Sequence, residues 1–204
     1  MKTMTAVAGA ILFVSAVAMA ADAPSQMTAQ QQATMEKMMK AATPGPQHAM
    51  LAKLAGDWTC KVKVQMDPSQ PWQESQSTAK ITTLMDGRYI QEVDTGEMGG
   101  MPFSGLGTTG FDNVSGKYVW TWLDNMGTGI MTGVGTADAS GKVITMIGTM
   151  NDPVTGKPTK ERSVTTIIDD DHHTFESVGT PPGAKKEMKI MSIDYVRAGS
   201  AASR

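Results

Sequence analysis

The feature that most constrains the fold is a long series of short segments in which apolar and polar residues alternate. Residues 58–66, WTCKVKVQM, place an apolar side chain at every second position, as a half-buried strand requires. Ten such segments follow one another, separated by turn sequences such as MDGR, ASGK and PPGAK. Short strands joined by tight turns, without helical crossovers, predict an antiparallel all-β fold. The predicted strands cover residues 57–66, 76–85, 88–97, 102–111, 117–124, 128–137, 142–151, 159–168, 173–179 and 186–197.

Glycine is unusually frequent inside these predicted strands. Glycine within a strand weakens a sheet unless it permits a sharp bend or a close approach of two backbones. A closed barrel needs such bends at its corners. The pattern therefore favours a closed antiparallel barrel of about ten strands over an open sandwich. The glycines concerned are Gly105, Gly107, Gly110, Gly129, Gly133 and Gly135.

The N-terminal part of the chain has a different character. Residues 1–20 combine Lys2, an apolar stretch and the small residues Ala18 and Ala20, which is typical of a secretory signal peptide cleaved after Ala20. We therefore expect a periplasmic or secreted protein. Residues 21–46 form a helical or flexible segment, with a helix predicted over residues 26–42 and ended by Pro44 and Pro46.

The predicted barrel domain covers residues 47–197. A second short helix is expected in the sequence HAMLAKLAG, residues 48–56, directly before the first strand. Residues 198–204 are expected to form a disordered tail.

Composition excludes several classes of function. The formal net charge is −2 and no basic stripe is present, which argues against a nucleic-acid partner. No run after the signal segment is apolar enough to predict a membrane span. The single cysteine, Cys60, excludes an intramolecular disulfide, and its place on an apolar strand face predicts a buried, unreactive thiol. The sequence does not indicate an oligomeric state.

Two sets of residues resemble known proteins. Gly56-Asp57-Trp58 resembles the entry motif of lipocalin-like barrels, in which a basic residue of the last strand, here Arg197, packs over the tryptophan. Longer blocks over residues 44–197, including PGPQHAMLAKLAGDW and YVWTWLDNMGTGIM, resemble the bacterial domain of unknown function 1579. This resemblance implies a lipocalin-like antiparallel barrel, often exported, without an established activity. One departure from the family pattern is the sequence DHHTFE. A single histidine is expected before the threonine, but this chain has two, His172 and His173.

Tyr118, Trp120 and Trp122 alternate onto one face of a predicted strand. They form either the wall of an internal cavity or part of a packed core. The leading hypothesis is a barrel that binds a small, largely apolar molecule in its interior. The alternative is a structural or interaction module of the cell envelope with a packed core. The predicted ligand-binding residues are Trp58, Tyr89, Trp120, Trp122, His173 and Arg197, of which Tyr89 and His173 would be polar anchors.

Cofactor sites are weaker alternatives. The sequence DDDHHTFE, residues 169–176, contains metal-ligand residue types, but adjacent histidines in a strand project to opposite faces. Haem held by an inward-facing His173 and Cu(I) held by clustered methionines are further possibilities. Methionine otherwise serves as a compliant filler of apolar space. The sequence thus predicts no cofactor, with haem and copper as alternatives.

No catalytic signature is found. Ser104-Gly105 and Ser140-Gly141 lack the flanks of a nucleophile elbow, and GLGTTG is not followed by a helix. Glu92 and Asp94, two residues apart, are expected to face solvent. The sequence therefore favours a binding or structural protein over an enzyme.

Overall fold

The computed structural model describes residues 27–65, 67–153, 155–180 and 186–200. The predicted signal peptide with its cleavage point, and residues 201–204 of the predicted tail, lie outside the described residues. The chain divides into two compact units, residues 1–37 and 38–204. In the first unit, the described residues include the beginning of helix α1, Ala29–Ala42. No helix in the described ranges is long and apolar enough to span a membrane.

The second unit contains helix α2 and ten strands. All ten predicted strands are present, and their ends differ from the prediction by at most three residues. Gly129, which was predicted to lie in a strand, precedes β6 instead. The elements are α2 Pro46–Ala52, β1 Gly56–Val64, β2 Gln73–Leu84, β3 Tyr89–Met98, β4 Met101–Asp112, β5 Lys117–Asp124, β6 Met131–Ala137, β7 Val143–Asn151, β8 Pro158–Ile167, β9 His172–Gly179 and β10 Met188–Arg197.

The ten strands form a closed antiparallel barrel. Each strand pairs with its neighbour in sequence, and β1 pairs with β10 to complete the cylinder. In this closing seam Trp58 is opposite Arg197 and Cys60 is opposite Tyr195. The predicted closed antiparallel barrel is therefore confirmed.

Alternation along the strands decides which side chains enter the interior. On β1, Trp58, Cys60 and Val62 are buried, whereas the residues between them are exposed. Directly opposed residues of an antiparallel pair project to the same face. The inward face can therefore be followed around the barrel, for example from Trp58 to Ala79 and on to Asp94.

Helix α2 packs against one end of this cylinder. Pro46, which was expected to end the preceding helix, occupies the first turn of α2, where a missing amide hydrogen has no cost. The amide of Gly45 donates to Nδ1 of His48 at 3.0 Å. The His48 ring lies 5.9 Å from the ring of Phe111 on β4, and Leu51 joins the buried core. We refer to this end of the barrel as the closed end.

Candidate functional site: the barrel interior

Trp58 and Arg197 together fill the closed end. Trp58 is 1% exposed, and its indole Nε1 donates to the carbonyl of Leu54 at 2.9 Å. The guanidinium carbon of Arg197 lies 4.3 Å from the centre of the indole ring, which confirms the stacking expected from the sequence.

The guanidinium of Arg197 donates hydrogen bonds to the backbone carbonyls of three residues in two segments of the chain. It donates to Ala55 at 2.9 Å, to Lys53 at 3.0 Å and, from Nε, to Asp170 at 2.8 Å. It also pairs with the carboxylate of Asp171 at 3.1 Å. These contacts join the loop before β1 to the β8–β9 turn, so Arg197 acts as a structural clamp.

The structure distinguishes the two adjacent histidines. His173 faces inward and is 3% exposed, between the edge-on ring of Trp58 at 4.4 Å and the stacked ring of Tyr195 at 4.2 Å. Burial, followed by the nearby His172 and Arg197, lowers the pKa of His173 to about 3, so this ring is neutral. His172 is half-buried and its Nε2 lies 2.5 Å from Oδ1 of Asp194.

Glu92 and Asp94 lie inside the barrel, so the expectation that they face solvent is wrong. They share the inward face of β3 with the buried Ile90, and their partners on β2 are the buried Ile81 and Ala79. Asp94 is buried, as is Oε1 of Glu92. Because a strand alternates strictly, the apolar Ile90 two positions earlier was the signal that would have placed them correctly.

This acid pair retains a proton near neutral pH. Burial raises the pKa of both carboxyls, and the neighbouring Glu92 further raises the pKa of Asp94, to about 8. The hydroxyl of Tyr195 donates to Glu92. In the part of the chain that the structure describes, no group forms a hydrogen bond with the buried Oε1 of Glu92. Burial and the charge of Asp94 also raise the pKa of the adjacent Cys60 thiol to about 12.

The indoles of Trp120 and Trp122 lie against the inner wall. The Trp122 ring covers Gly105 and Gly107 of β4; a Cβ on Gly107 would lie 3.2 Å from Cε3 of the indole. The Trp120 ring covers Gly133 and Gly148 in the same way, with contacts of 3.0 and 3.4 Å to such a Cβ. Rings that rest on glycine line the wall rather than cross the interior.

Gly105, Gly107, Gly133 and Gly148 thus leave space for an aromatic ring, a role that was not predicted from the sequence. Gly135 has the alternative role considered for in-strand glycine, close backbone approach, because a Cβ there would collide with the backbone of Thr145 and Met146.

Inward side chains are buried around the closed end, and several of the larger ones farther along are only partly buried. Inward residues near α2, such as Tyr118 and Ile167, are buried. Farther along, Trp120, Phe175 and Ile193 pack against the core on one side and keep part of their surface accessible. Phe103 and Trp122 are also half-buried, with rings stacked at 6.4 Å. We call the region lined by Phe103, Trp120, Trp122, Phe175 and Ile193 the open half.

Two further acids face inward around the open half. Asp124 accepts from Nε1 of Trp122 at 2.9 Å, which fixes the orientation of that indole. Glu161, opposite Gly148, accepts a hydrogen bond from Ser177, and burial raises its pKa. Neither residue was predicted from the sequence, because one acid between apolar positions is common on any strand.

Tyr89 lies on the outer face of the barrel and lines an outer groove whose lining also includes Trp120. The Tyr89 ring covers Gly110, where a Cβ would be 2.5 Å from Cδ1 of the ring. Gly110 pairs with Val119, and the two belong to this outer groove of about 330 Å³. The predicted set is thus divided: Trp58, His173 and Arg197 are at the closed end, Trp120 and Trp122 are in the open half, and Tyr89 is on the outer face.

The cofactor alternatives find little geometric support. Within the described ranges, no group of three or more His, Cys, Asp or Glu side chains is arranged to hold a metal ion. In DDDHHTFE, Asp171 pairs with Arg197, and the two histidines face opposite sides of β9. Haem ligation by His173 would require displacement of the Trp58 and Tyr195 rings. Met98 and Met101 face each other across the β3–β4 hairpin, where Met101 is exposed.

Comparison with known proteins agrees with this architecture. The model of the family described as protein of unknown function, DUF1579, matches residues 43–197. The chain belongs to this family. The match confirms the resemblance noted in the sequence, and it places all ten strands of the barrel within the DUF1579 region.

Solved structures add support for the fold alone. The crystal structure of Rv2717c from M. tuberculosis is similar to this DUF1579 barrel, with a TM-score of 0.58 and 16% identity. The similarity covers 76% of this chain and 99% of that chain. No curated protein matches the sequence.

Proposed function

We propose that the barrel binds a small, largely apolar molecule in its open half. The observation that carries the proposal is the position of Trp120 and Trp122, whose rings rest on glycines of neighbouring strands and which are only partly buried. Binding pockets are typically concave and apolar, with a few placed polar groups. The open half has this character, because aromatic and aliphatic side chains line it and the inward acids provide the polar groups.

Trp58, His173 and Arg197 have a different part in this proposal. Trp58 and His173 are buried against each other, and Arg197 is held by backbone carbonyls. They would close one end of the interior and support the site without touching the ligand. The competing hypothesis is a structural or interaction module with a packed core.

A titration with N-phenyl-1-naphthylamine, a neutral probe that fluoresces in apolar surroundings, separates the two hypotheses. We expect saturable binding of one probe per chain, weakened at least tenfold by Trp120→Ala. Tyr89→Ala is the matched control, because it removes an aromatic ring from the outer face, and it should leave binding unchanged. Absence of saturable binding, or equal loss in both variants, would overturn the proposal.

We also propose that the protein is exported. The support is the sequence of residues 1–20, with its basic start, apolar stretch and small residues before the cleavage point. Intact-mass measurement on protein from the periplasmic fraction of the source cells should give a chain beginning at Ala21. A chain that retains Met1 and stays with the cytoplasmic fraction would contradict export.

A further inference from the structure

The inward face of the barrel has an unequal distribution of charge. Acids project inward at four strand positions, and Arg197 is the only arginine or lysine on the inward face of the described strands. Arg197 is already engaged by three backbone carbonyls at the closed end. No strand cation therefore faces the acids in the open half. The four acids are Glu92, Asp94, Asp124 and Glu161.

The acid pair is next to an aromatic surface. Glu92 is opposite Gly107 and Asp94 is opposite Gly105 in the β3–β4 register. The Trp122 ring covers both of these glycines, so it extends from β5 toward the pair. Asp124, which accepts from Trp122, is opposite Gly105 on the other side. Three inward carboxyl groups and the Trp122 indole thus occupy neighbouring strand positions in the interior.

One carboxyl oxygen in this cluster lacks a partner. Tyr195 and Asp94 form hydrogen bonds with the Glu92 carboxyl, but the buried Oε1 of Glu92 has no hydrogen-bond partner among the described residues. Buried polar atoms are almost always hydrogen-bonded, because the loss of water is otherwise uncompensated. A hydrogen-bond donor from a ligand would satisfy this oxygen.

We infer that the ligand of the open half is an apolar molecule with a protonated amine, and that the amine binds at Glu92 and Asp94 beside Trp122. This inference rests on the proposed interior binding site. A cation is attracted both by carboxylates and by the face of an indole. A carboxylate headgroup would lie among the four inward acids, and the described strands offer it no unengaged arginine or lysine. We therefore expect the site to discriminate against fatty acids.

Binding of the amine is coupled to release of a proton. The free acid pair retains a proton near neutral pH, because both carboxyls are buried beside each other. An ammonium group favours the ionised form of a neighbouring carboxyl, so the pair loses its proton when the amine binds. The proton passes to the buffer, which makes the event measurable by calorimetry.

A series of ligands that share one alkyl chain tests the inference. Dodecylammonium, dodecanol and dodecanoate, each below its aggregation or solubility limit, are titrated at pH 7 into the protein that begins at Ala21. We expect the amine to bind at least tenfold more tightly than the alcohol, and the carboxylate to bind most weakly. Calorimetry in two buffers of different ionisation enthalpy should show proton release for the amine alone.

Variants then assign the headgroup site. Asp94→Asn and Glu92→Gln should remove the advantage of the amine over the alcohol while the alcohol still binds. The matched control is Glu97→Gln, because Glu97 is an exposed acid on the outer face of the same strand, and it should change nothing.

Each outcome is decisive. If all three ligands bind with equal strength, or if the carboxylate binds best, the headgroup inference fails and interior binding stands. If none of the three ligands binds and the neutral fluorescent probe also fails, both proposals fall. If an acid variant does not fold, as judged by circular dichroism, the headgroup series on the unmodified protein decides alone.

Discussion

The guanidinium of Arg197 occupies the space that a side chain at Gly56 would need. A Cβ built on Gly56 collides with Nη1 of Arg197, and Gly56 has a φ of +146°, which only glycine adopts readily. Arg197 cannot move aside without losing its stacking on Trp58 and its hydrogen bonds to Lys53 and Ala55. The glycine, the tryptophan and the arginine therefore form one structural unit.

Gly56→Ala should destabilise the protein by about 3 kcal/mol or more, because it adds backbone strain and displaces the guanidinium from several hydrogen bonds. Gly87→Ala is the matched control, because Gly87 also has a positive φ, +80°, but open space around its Cβ position. Gly87→Ala should lower the free energy of unfolding by only about 1–2 kcal/mol. Urea unfolding of both variants measures the difference; equal losses would show that the contact with Arg197 is unimportant.

The stability of the protein should fall as the pH rises from about 6.5 to 8. The pKa of Asp94 is raised from 3.8 to about 8, so over this interval the folded protein holds a proton that the unfolded chain has lost. The pKa of His173 is lowered from 6.5 to about 3, which makes stability rise with pH, but only below 6.5. Above pH 6.5 the effect of Asp94 is no longer opposed by that of His173. The free energy of unfolding should therefore fall by about 1–2 kcal/mol between pH 6.5 and 8.

Asp94→Asn tests this pH dependence, because asparagine has nearly the same shape and no charge. Urea unfolding at several pH values should give a shallower profile for the variant between pH 6.5 and 8. An unchanged slope would mean that another group, such as Glu92, whose pKa burial also raises, holds the proton over this interval.

Gly105→Ala should disturb Trp122 more than Gly107→Ala does. A methyl group at Gly105 would overlap the indole and lie 3.2 Å from Cζ of Phe103, whereas at Gly107 the nearest indole atom is 3.2 Å away. Overpacking of this kind lowers the free energy of unfolding by about 1–3 kcal/mol. We expect the larger destabilisation and the larger shift of tryptophan emission for Gly105→Ala; the reverse order would contradict a ring that lies flat on β4.

Cys60 should be unreactive in the folded protein. It is fully buried and its pKa is raised to about 12, so almost no thiolate is present at pH 8. A thiol reagent such as 5,5′-dithiobis(2-nitrobenzoate) should react rapidly only after denaturant is added. Rapid labelling of the native protein would contradict the packing around β1.

The strands were predictable because the alternation of side chains is local and strict. The positions of β1–β10, the closed antiparallel order and the stacking of Arg197 on Trp58 all follow from period-two patterns, turn residues and a motif. The start of β6 was missed, since Gly129 was read as part of a strand when it lies in the preceding loop.

The arrangement of the interior was harder to predict because it depends on which face of each strand is inward. Glu92 and Asp94 were assigned to solvent, although Ile90 shares their face. Tyr89 was expected inside, but it lies one position out of phase with Ile90, on the outer surface. The glycines beneath Trp120 and Trp122 gave no separate signal, because their partners are on neighbouring strands and not adjacent in sequence.

The pairing of β1 with β10 brings the first and last strands of the barrel side by side, with Trp58 opposite Arg197. Every other pair joins strands that are consecutive in the chain. A circular permutant that links the end of β10 to the start of α2 by a short peptide keeps the contacts of Trp58 and Arg197 with residues 53–55. If it opens at Gly99-Gly100, a turn where added Cβ atoms would meet no neighbour, it retains all ten pairings. The cylinder thus has no unique starting point, and new termini can be introduced at the rim opposite Trp58.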